Sequence, residues 1–483
     1  MSEEKKVKID LSRPTGTRDF MPSDMRKHRH VEKIVRQSLE SLGFEEIMTP
    51  MFEFFDLFLV RSGEKFREDV FTFTAPRYQA GGENKELSPE DARTFVLRPE
   101  FTAPVCRFYI QSDLNTMPKP LKIFYVGPVF RYDKPAPGRF REFFQFGVEM
   151  FGIQGAVADA EVMCVAASII KKLGIKDYTL RMNDLNILRE LLLDNAVNED
   201  IQDKIIGMMD KANGDMIKYQ LGFLEGETQD SIENQFLDNL HDLDLAESLI
   251  RILHEFLFLN GNFADILPKA KSLLEGNERA LKALESSNLL EVENLLEASG
   301  ITSRVVDLSL ARGLDYYTGL VFEIESRSLG KQKQICGGGR YDRLIDEFGG
   351  DETPATGFAF GLDRLVLAAE ANGALVQDVG TARADVYLYA FTSGLIAETF
   401  KIRQQLVDEG LRVELNVTDW NVKRALQFAS KLGFRFAILL GEKEQEQGMV
   451  VVKDLKTTEQ QVIPLDQAIT FMKDALRLEP SRE

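Results

Sequence analysis

The sequence predicts an α+β fold: a mixed domain that contains a β-hairpin, interrupted by an all-α insertion and followed by a separate α/β domain. Residues 122–132 and 141–152 are rich in aromatic and β-branched residues and enclose a loop with proline and glycine, which is typical of a hairpin. Residues 186–300 consist almost wholly of helical patterns. After residue 383, strand and helix patterns alternate regularly, which indicates βαβ units.

Length and composition favour a globular protein with several domains. A chain of 483 residues is long enough for roughly three domains, and 44% hydrophobic residues suffice for packed cores. No apolar run approaches the ~20 residues that span a bilayer. The charged opening segment has no apolar stretch, so it does not resemble a secretory signal. We therefore expect a cytoplasmic protein with no membrane association.

The cysteines and histidines do not indicate a resident metal ion. Cys106, Cys164 and Cys336 are far apart, and isolated thiols suit a reducing compartment better than a disulfide framework or a zinc site. His28 and His30 lie in the basic segment RKHRH, which is typical of a solvated helix face. We expect no protein-bound metal, and a divalent ion would arrive with a substrate.

The charge is distributed unevenly along the chain. The net charge of -18 argues against a protein that coats nucleic acid without selectivity. Residues 383–483 hold 14 Lys and Arg against 15 Asp and Glu, which is a net of -1 and leaves -17 for the remainder. The C-terminal region is therefore the more plausible place for a polyanion to bind.

The first part of the mixed domain contains a helix and two strand segments before the hairpin. Apolar residues recur near helical spacing over residues 25–42, and this helix ends at Gly43. Residues 44–54 predict a strand that is interrupted at Pro50, and residues 94–110 predict a strand, a turn and the start of a helix.

The hairpin carries the first group of candidate site residues. Strand alternation places Gln145, Gly147 and Glu149 on one face, and Arg131 ends the opposite strand. An acidic side chain facing the centre of a sheet is costly unless it meets a partner or a ligand. The residues alone equally allow a solvent-facing strand with arbitrary polar groups.

Two later segments carry further candidates. Arg312, Tyr316 and Tyr317 lie near a turn between strands, where tyrosine and arginine also serve as packing and solvent-facing groups. The glycine triplet in CGGGRYD (336–342) allows close approach of backbone to a nucleotide, but the segment matches neither a P-loop nor a Rossmann fingerprint. Arg364 follows on a strand-to-helix passage, where a salt bridge is the alternative role.

The order of these segments along the chain resembles the class II aminoacyl-tRNA synthetases and, more narrowly, the histidyl-tRNA synthetase family. The FR, loop and RxFxQ pattern of the hairpin is similar to motif 2, and RGLDYY is similar to the histidine-specific signature. The helix through Pro50 resembles motif 1, which in the family builds the homodimer interface, and GFAFGLDR resembles motif 3. The matching segments are PTGTRDF (14–20), LRPEFTAP (97–104), the 127–149 hairpin, ARGLDYYTG (311–319) and GFAFGLDRL (357–365).

The resemblance implies a domain organisation and an activity. Residues 1–185 and 301–372 would form the catalytic core, which is an antiparallel sheet flanked by helices. Residues 186–300 would form a helical insertion domain, and residues 383–483 an anticodon-binding domain. The implied enzyme is a homodimeric histidine–tRNA ligase. It activates L-histidine with ATP, which enters with Mg²⁺, and transfers histidine to the 3′ end of tRNA(His).

The resemblance also assigns catalytic and ATP-binding residues. Arg131 and Arg312 match the two arginines that act on the α-phosphate, and Arg364 matches the arginine expected near the γ-phosphate. Asp133 lies in the motif 2 loop, where the family contacts ATP. A planar guanidinium suits each phosphate contact better than a lysine would.

For histidine, the resemblance assigns Glu149 and Tyr317 to the imidazole nitrogens, because a carboxylate accepts an N–H and a phenol donates or accepts. Three places depart from the family pattern: Phe101 replaces a usual glycine, Phe144 replaces a frequent histidine, and Asp133 and Lys134 stand where Glu-Arg is commoner. The family positions that hold the α-amino group are matched by Glu100, Thr102 and Gln145, and the histidine-binding set is completed by Phe101 and Tyr316.

Two other classes of protein share parts of this pattern. One is the regulatory subunit of ATP phosphoribosyltransferase, a binding protein with a synthetase-like core that lacks the C-terminal anticodon-binding domain. The other is a synthetase-like processivity or kinase-regulatory module, which normally lacks the ATP and amino acid groups. Residues 383–483, Arg131, Arg312 and the complete RGLDYY segment favour the enzyme.

Overall fold

The computed structural model describes residues 10–62, 68–75, 93–134, 138–224, 226–312, 316–375 and 383–477. The described residues divide into two compact units, the larger formed mainly by residues 28–374 and the smaller mainly by the residues after 374. Part of the expected linker over residues 372–383 lies outside the described residues, at positions 376–382. None of the described helices is both long enough and apolar enough to cross a bilayer.

The strands are numbered in chain order. They are β1 (Glu45–Glu46), β2 (Phe52–Phe54), β3 (Thr72–Ala75), β4 (Arg93–Leu97), β5 (Leu121–Phe130), β6 (Glu142–Phe151), β7 (Tyr178–Asp184), β8 (Asn260–Gly261), β9 (Arg304–Asp307), β10 (Leu320–Ser326), β11 (Gln334–Arg340), β12 (Ala355–Gly361), β13 (Val386–Ala390), β14 (Val413–Leu415), β15 (Phe436–Leu440), β16 (Met449–Asp454) and β17 (Gln460–Pro464).

The helices are numbered in the same way. They are α1 (Pro22–Ser41), α2 (Asp56–Ser62), α3 (Thr102–Gln111), α4 (Ala156–Lys172), α5 (Leu185–Asp194), α6 (Glu199–Gln220), α7 (Gln229–His241), α8 (Glu247–Phe256), α9 (Phe263–Leu273), α10 (Glu278–Ser286), α11 (Leu289–Ala298), α12 (Leu344–Glu347), α13 (Leu362–Ala371), α14 (Ile396–Asp408), α15 (Val422–Lys431), α16 (Glu442–Glu446) and α17 (Leu465–Arg477).

The larger unit is built on a nine-stranded sheet in the order β1-β5-β6-β12-β11-β10-β7-β9-β8. The strands from β5 to β7 in this order pair antiparallel, whereas β1 pairs parallel with β5 and β9 parallel with β7. The predicted hairpin is confirmed, because β5 and β6 pair along their whole length from Leu121 and Phe151 to Phe130 and Glu142. Helices α4 and α13 pack against this sheet.

The glycine-rich segment that the sequence left without a strand is β11, in the middle of the sheet between β10 and β12. Glycine weakens an isolated strand, but it permits close approach of neighbouring groups. A Cβ on Gly338 would lie 2.3 Å from the carbonyl oxygen of Gly357. The packing of this sheet, rather than local strand preference, therefore explains the segment.

Helix α1 confirms the predicted amphipathic helix. Val31, Val35 and Leu39 recur every four residues and are buried, so one stripe of the helix faces a core. The chain leaves the helix at Gly43, whose φ of 78° is the left-handed conformation that glycine adopts readily. The helix therefore ends where the sequence indicates, just before Gly43.

The segment between β7 and β9 is helical, as predicted, apart from the two-residue strand β8, which pairs with β9. Three of its helices, α5, α6 and α7, begin at side-chain caps. The carboxylate of Asp184 accepts from Asn186 N at the start of α5, and the amide oxygen of Asn198 accepts from Ile201 N at the start of α6. The boundaries of a separate insertion domain remain a prediction.

The smaller unit confirms the predicted alternation of strands and helices. Its sheet has the order β14-β13-β15-β16-β17, with β14, β13 and β15 parallel and the last two strands antiparallel. Alternate residues of β13 enter two different cores. Val386 and Leu388 pack in one, and Tyr387 and Tyr389 pack in the other. The sheet is therefore covered on both faces, as expected for βαβ units.

Candidate active site

A cavity of about 200 Å³ lies over the centre of the large sheet and gathers the candidate residues from distant parts of the chain. It is bounded by the ends of β5 and β12, by the start of α3 and by the segments before β10 and α13. Every candidate residue named from the sequence lines it: Glu100, Phe101, Thr102, Arg131, Asp133, Gln145, Glu149, Arg312, Tyr316, Tyr317 and Arg364.

The floor of the cavity is formed by small residues that alternate with polar ones. Glu149 pairs with Gly357 across β6 and β12, and Gln145 pairs with Gly361. A Cβ on Gly357 would lie 1.9 Å from Oε2 of Glu149, and one on Gly147 would lie 2.4 Å from the hydroxyl of Tyr125. The absence of side chains at these positions therefore makes room for the polar groups of the cavity.

Arg312 lies flat against β11. A Cβ on Gly337 would lie 2.4 Å from Nη2 of Arg312, so the guanidinium occupies the space that a side chain would take. Nη1 donates to Glu323, which also accepts from Nε2 of Gln334 at 2.9 Å. Burial lowers the pKa of Arg312, but the carboxylate of Glu323 raises it above its ordinary value. Gly313–Asp315 of the RGLDYY segment lie outside the described residues.

Arg131 and Arg364 add two further guanidinium groups. Nε of Arg131 donates to the carbonyl of Pro99 at 2.9 Å, and Nη1 of Arg364 donates to the carbonyl of Gln334 at 2.9 Å. Burial lowers the pKa of Arg364, and the nearby Arg139 and Arg131 lower it further. Burial and mutual repulsion oppose the charged form of these guanidinium groups. A cavity that holds several of them is therefore suited to bind an anion with more than one negative charge.

Glu149 is a buried carboxylate that accepts hydrogen bonds from three hydroxyl groups. Thr102 Oγ1 and the hydroxyl of Tyr125 donate to Oε1 at 3.0 Å and 3.1 Å, and the hydroxyl of Tyr341 donates to Oε2. Burial raises the pKa of Glu149 to about 8, and the Glu100 carboxylate also raises it, while these hydroxyl donors lower it. The sequence did not identify Tyr125 or Tyr341.

Glu100 and Gln145 present oxygen atoms to the same cavity. Backbone N–H groups of Thr102 and Ala103, at the start of α3, donate to the Glu100 carboxylate, the second at 2.9 Å. Burial raises the pKa of Glu100, and these backbone hydrogen bonds lower it. Among the described residues, neither Oε1 of Gln145 nor Nε of Arg312 has a hydrogen-bond partner, although both are buried. Such atoms indicate a site that a polar ligand completes.

The remaining candidates lie in the walls. Tyr317 is buried and its ring centre is 4.7 Å from that of Tyr316. Asp133 forms an ion pair with Arg139 at 2.9 Å near the motif 2 loop, of which residues 135–137 lie outside the described residues. The ring of Phe101 stacks on Tyr125 with centres 4.2 Å apart. The phenyl group that replaces a usual glycine is thereby packed in the wall.

The expectation that His28 lies on a solvated face was wrong. His28 is 4% exposed and its Nε2 is 2.8 Å from Oδ1 of Asp363, which also accepts from Arg18 and from the backbone N–H of Phe144. The basic neighbours concealed the signal, because His28 precedes Val31 by three residues and so shares the buried stripe of α1. The hydrogen bonds from His28, Arg18 and Phe144 hold Asp363 in the wall of the cavity.

The part of the chain that the structure describes contains no group of three or more His, Cys, Asp or Glu side chains that could hold a metal ion. The three cysteines are free thiols, and two of them, Cys106 and Cys336, are buried. The side chains that line the cavity include guanidinium groups, carboxylates, phenols and the thiol of Cys336.

Comparison with known proteins gives consistent matches along the chain. The family model described as Histidyl-tRNA synthetase matches residues 16–365, and the model described as Anticodon binding domain matches residues 385–475. Histidine–tRNA ligases of Archaeoglobus fulgidus and Methanocaldococcus jannaschii are each 34% identical over 96% of this chain and 100% of theirs. A solved histidyl-tRNA synthetase from Nostoc sp. PCC 7120 shares the fold, with a TM-score of 0.74, 24% identity and coverage of 97% of this chain and 100% of that one.

Proposed function

The chain belongs to the histidyl-tRNA synthetase family, and from this premise we propose how its residues carry out the reaction of a histidine–tRNA ligase. In the first step the carboxylate of L-histidine attacks the α-phosphorus of ATP and pyrophosphate leaves. In the second step a ribose hydroxyl at the 3′ end of the tRNA attacks the adenylate and AMP leaves. The protein contributes by positioning the reactants and stabilising charge.

Arg131 and Arg312 stabilise the charge that develops on the α-phosphate. The proposal is supported by the two guanidinium groups lining one cavity although their positions in the chain are far apart. Nε of Arg312 is buried without a partner among the described residues, so a phosphate oxygen would satisfy it. Arg131 also contacts the carboxylate of histidine, because a planar fork can serve two anionic oxygens at once.

Glu149 and Tyr317 select histidine through its ring nitrogens, and one observation carries this proposal. Burial of a carboxylate in a cavity wall costs free energy unless the carboxylate meets polar partners. Glu149 accepts hydrogen bonds from three hydroxyl groups, and its carboxylate is suited to accept an N–H of an imidazole. Sites that pair buried polar groups with a substrate reject analogues lacking those groups by about 10⁴-fold. The neutral imidazole has a second nitrogen that accepts, and the phenol of Tyr317 can donate to it.

The other end of histidine and the ATP occupy the remaining groups. Glu100, Thr102 and Gln145 hold the α-ammonium, and Phe101 and Tyr316 form the adjacent wall. Arg364 binds near the γ-phosphate, and Asp133 contacts ATP from the motif 2 loop. Mg²⁺ enters as part of the ATP complex, since it is commonly held by substrate phosphates and one or two carboxylates. Among the described residues, the carboxylates that line the cavity are those of Glu100, Asp133, Glu149 and Asp363.

Replacement of Glu149 by glutamine tests the histidine site. The amide keeps the shape of the side chain but has no charge and replaces one of the two acceptor oxygens by an NH2 donor, so we expect the KM for histidine to rise roughly 10- to 100-fold. The KM for ATP should stay within about twofold. Both constants come from histidine-dependent exchange of pyrophosphate into ATP, and Glu142→Gln, at the exposed start of the same strand, is the matched control.

An unchanged KM for histidine in Glu149→Gln would contradict the proposed role of this carboxylate. A parallel rise in both constants would contradict it too, because damage to the whole cavity would then be the cause. The Glu142→Gln control should match the unmodified enzyme in both constants.

We propose that the enzyme is a cytoplasmic homodimer. Its large unit exposes apolar side chains on and beside the three-stranded sheet β2-β4-β3, including Met48 at 85% and Phe52 at 50% exposure, with Met51, Phe54 and Phe73 nearby. Contiguous apolar surface of this kind is typical of protein interfaces. Sedimentation at micromolar concentration should give twice the chain mass of 54.7 kDa. A sedimenting species with the mass of one chain would rule out the dimer.

We place the enzyme in the cytoplasm because its free thiols suit a reducing compartment.

A further inference from the structure

We propose that Tyr125 and Tyr341 are positioning residues that orient the Glu149 carboxylate and leave it one acceptor site for a ring N–H of the substrate. This inference rests on the proposed role of Glu149 in binding histidine. Neither tyrosine belongs to the residues assigned by resemblance. Both line the cavity, and both direct their hydroxyl groups to the same carboxylate.

The first argument is a count of acceptor sites. An ionised carboxylate has about four lone-pair sites. Oε1 of Glu149 accepts from Thr102 at 3.0 Å and from Tyr125 at 3.1 Å, and Oε2 accepts from Tyr341. One site on Oε2 is then left, so the carboxylate can accept one more N–H without losing a bond that it already has.

The second argument is rigidity, because a positioning group must itself be held. The side chains of Tyr125 and Tyr341 are each 1% exposed. Tyr125 lies within β5 and its ring stacks on Phe101, with centres 4.2 Å apart. Tyr341 directly follows β11, and its backbone N–H donates to the carbonyl of Ala355 at 2.8 Å. The hydroxyl of Tyr125 therefore reaches Glu149 from within a strand, and that of Tyr341 from the residue after a strand, where a backbone hydrogen bond to β12 holds the chain.

The third argument is that the surroundings do not otherwise favour the ionised carboxylate. Burial and the Glu100 carboxylate both oppose ionisation of Glu149, whereas its hydroxyl donors favour it. Gly357 also approaches Oε2 so closely that a Cβ at this position would lie 1.9 Å from it. The titratable groups that interact electrostatically with Glu149 are Glu100, Cys106, Tyr125, Tyr316, Tyr317 and Tyr341.

The experiment replaces each tyrosine by phenylalanine in the full chain and measures histidine-dependent pyrophosphate exchange. For Tyr341→Phe we expect the KM for histidine to rise roughly 10- to 100-fold, the range for loss of a hydrogen bond to a charged group. The KM for ATP should stay within about twofold. Tyr125→Phe should act in the same direction, because its hydroxyl donates to the other carboxylate oxygen.

The pH dependence provides a readout that simple loss of packing would not give. A ring N–H needs the ionised carboxylate, so kcat/KM for histidine should fall as the pH drops through the pKa of Glu149. Removing a hydroxyl donor destabilises the ionised form and raises that pKa, so the acidic limb should move to higher pH in both variants. Titration of the substrate imidazole is common to all variants, so it cannot cause the displacement.

Tyr109→Phe is the matched control. Tyr109 is also a buried tyrosine next to a phenylalanine, with ring centres 4.6 Å apart, but its hydroxyl has no hydrogen-bond partner among the described residues. Its loss should leave both KM values and the acidic limb unchanged. Should Tyr341→Phe fail to fold, Tyr125→Phe decides the question.

The proposal is wrong if the tyrosine variants leave the KM for histidine and the acidic limb unchanged, or if the KM for ATP rises equally. Glu149→Gln separates the two levels of the argument. If it raises the KM for histidine while the tyrosine variants do not, only the positioning role fails. If it also has no effect, the histidine site itself has been placed on the wrong carboxylate.

Discussion

Replacement of Arg312 by alanine is expected to slow histidine-dependent pyrophosphate exchange by about 10³-fold, the lower end of the range for an arginine that stabilises a phosphoryl transition state. Arg312 has the strongest structural support for this role, since its guanidinium lies in the cavity, is held by Glu323 and has an unpartnered Nε among the described residues. Histidine should still bind to the variant, because the groups assigned to its ring lie elsewhere. Equilibrium dialysis with labelled histidine measures that binding.

A second variant tests the position of Arg312 without removing it. A Cβ on Gly337 would lie 2.4 Å from Nη2, so Gly337→Ala should displace the guanidinium and slow exchange by roughly 10²-fold, as a misplacement of about 1 Å can. Gly207→Ala is the control, because a Cβ at that position in α6 meets no atom within 4 Å. Exchange at the normal rate by Arg312→Ala would refute its catalytic role.

Removal of residues 383–483 should separate the two steps of the reaction. We expect charging of tRNA(His) at limiting RNA concentration to fall by roughly 100-fold or more, because each good contact to a base contributes ~1–3 kcal/mol. Residues 385–475 match the anticodon-binding family, and this unit has its own cores on both faces of its sheet. Pyrophosphate exchange should continue, since the cavity belongs to the larger unit.

The two rates are measured on the same truncated preparation, so the retained exchange shows that the catalytic unit is folded. Charging at the full rate would show that the C-terminal unit does not bind the tRNA. The total loss of exchange would show instead that adenylation depends on this unit, contrary to the domain organisation proposed from the sequence.

Local patterns account for much of the fold. The alternation in FFQFGVE places Gln145 and Glu149 on the cavity side of β6, and the four-residue spacing of Val31 and Val35 gives the buried stripe of α1. Such patterns are visible because the neighbours that decide them lie within a few residues. The glycine-rich β11 was missed for the opposite reason, since its glycines are required by groups on β12 and by Arg312.

The candidate site shows the same division between features that local sequence reveals and features that depend on distant partners. Residues within recognisable motifs could be assigned by resemblance, and all of them line one cavity. The groups that hold these residues could not, because they are partners across long distances in sequence. Tyr341 and Glu149 are 192 residues apart, and His28 and Asp363 are 335 apart. A tyrosine or a histidine at such a position carries no local mark of its partner, so only the fold reveals it.

The central claim is that this cavity joins histidine to the α-phosphate of ATP. Exchange of labelled pyrophosphate into ATP, measured on the purified full chain with each of the twenty amino acids in turn, tests it most directly. We predict exchange that depends on L-histidine and is absent with the other amino acids. Exchange supported equally by another amino acid, or none with histidine, would contradict it.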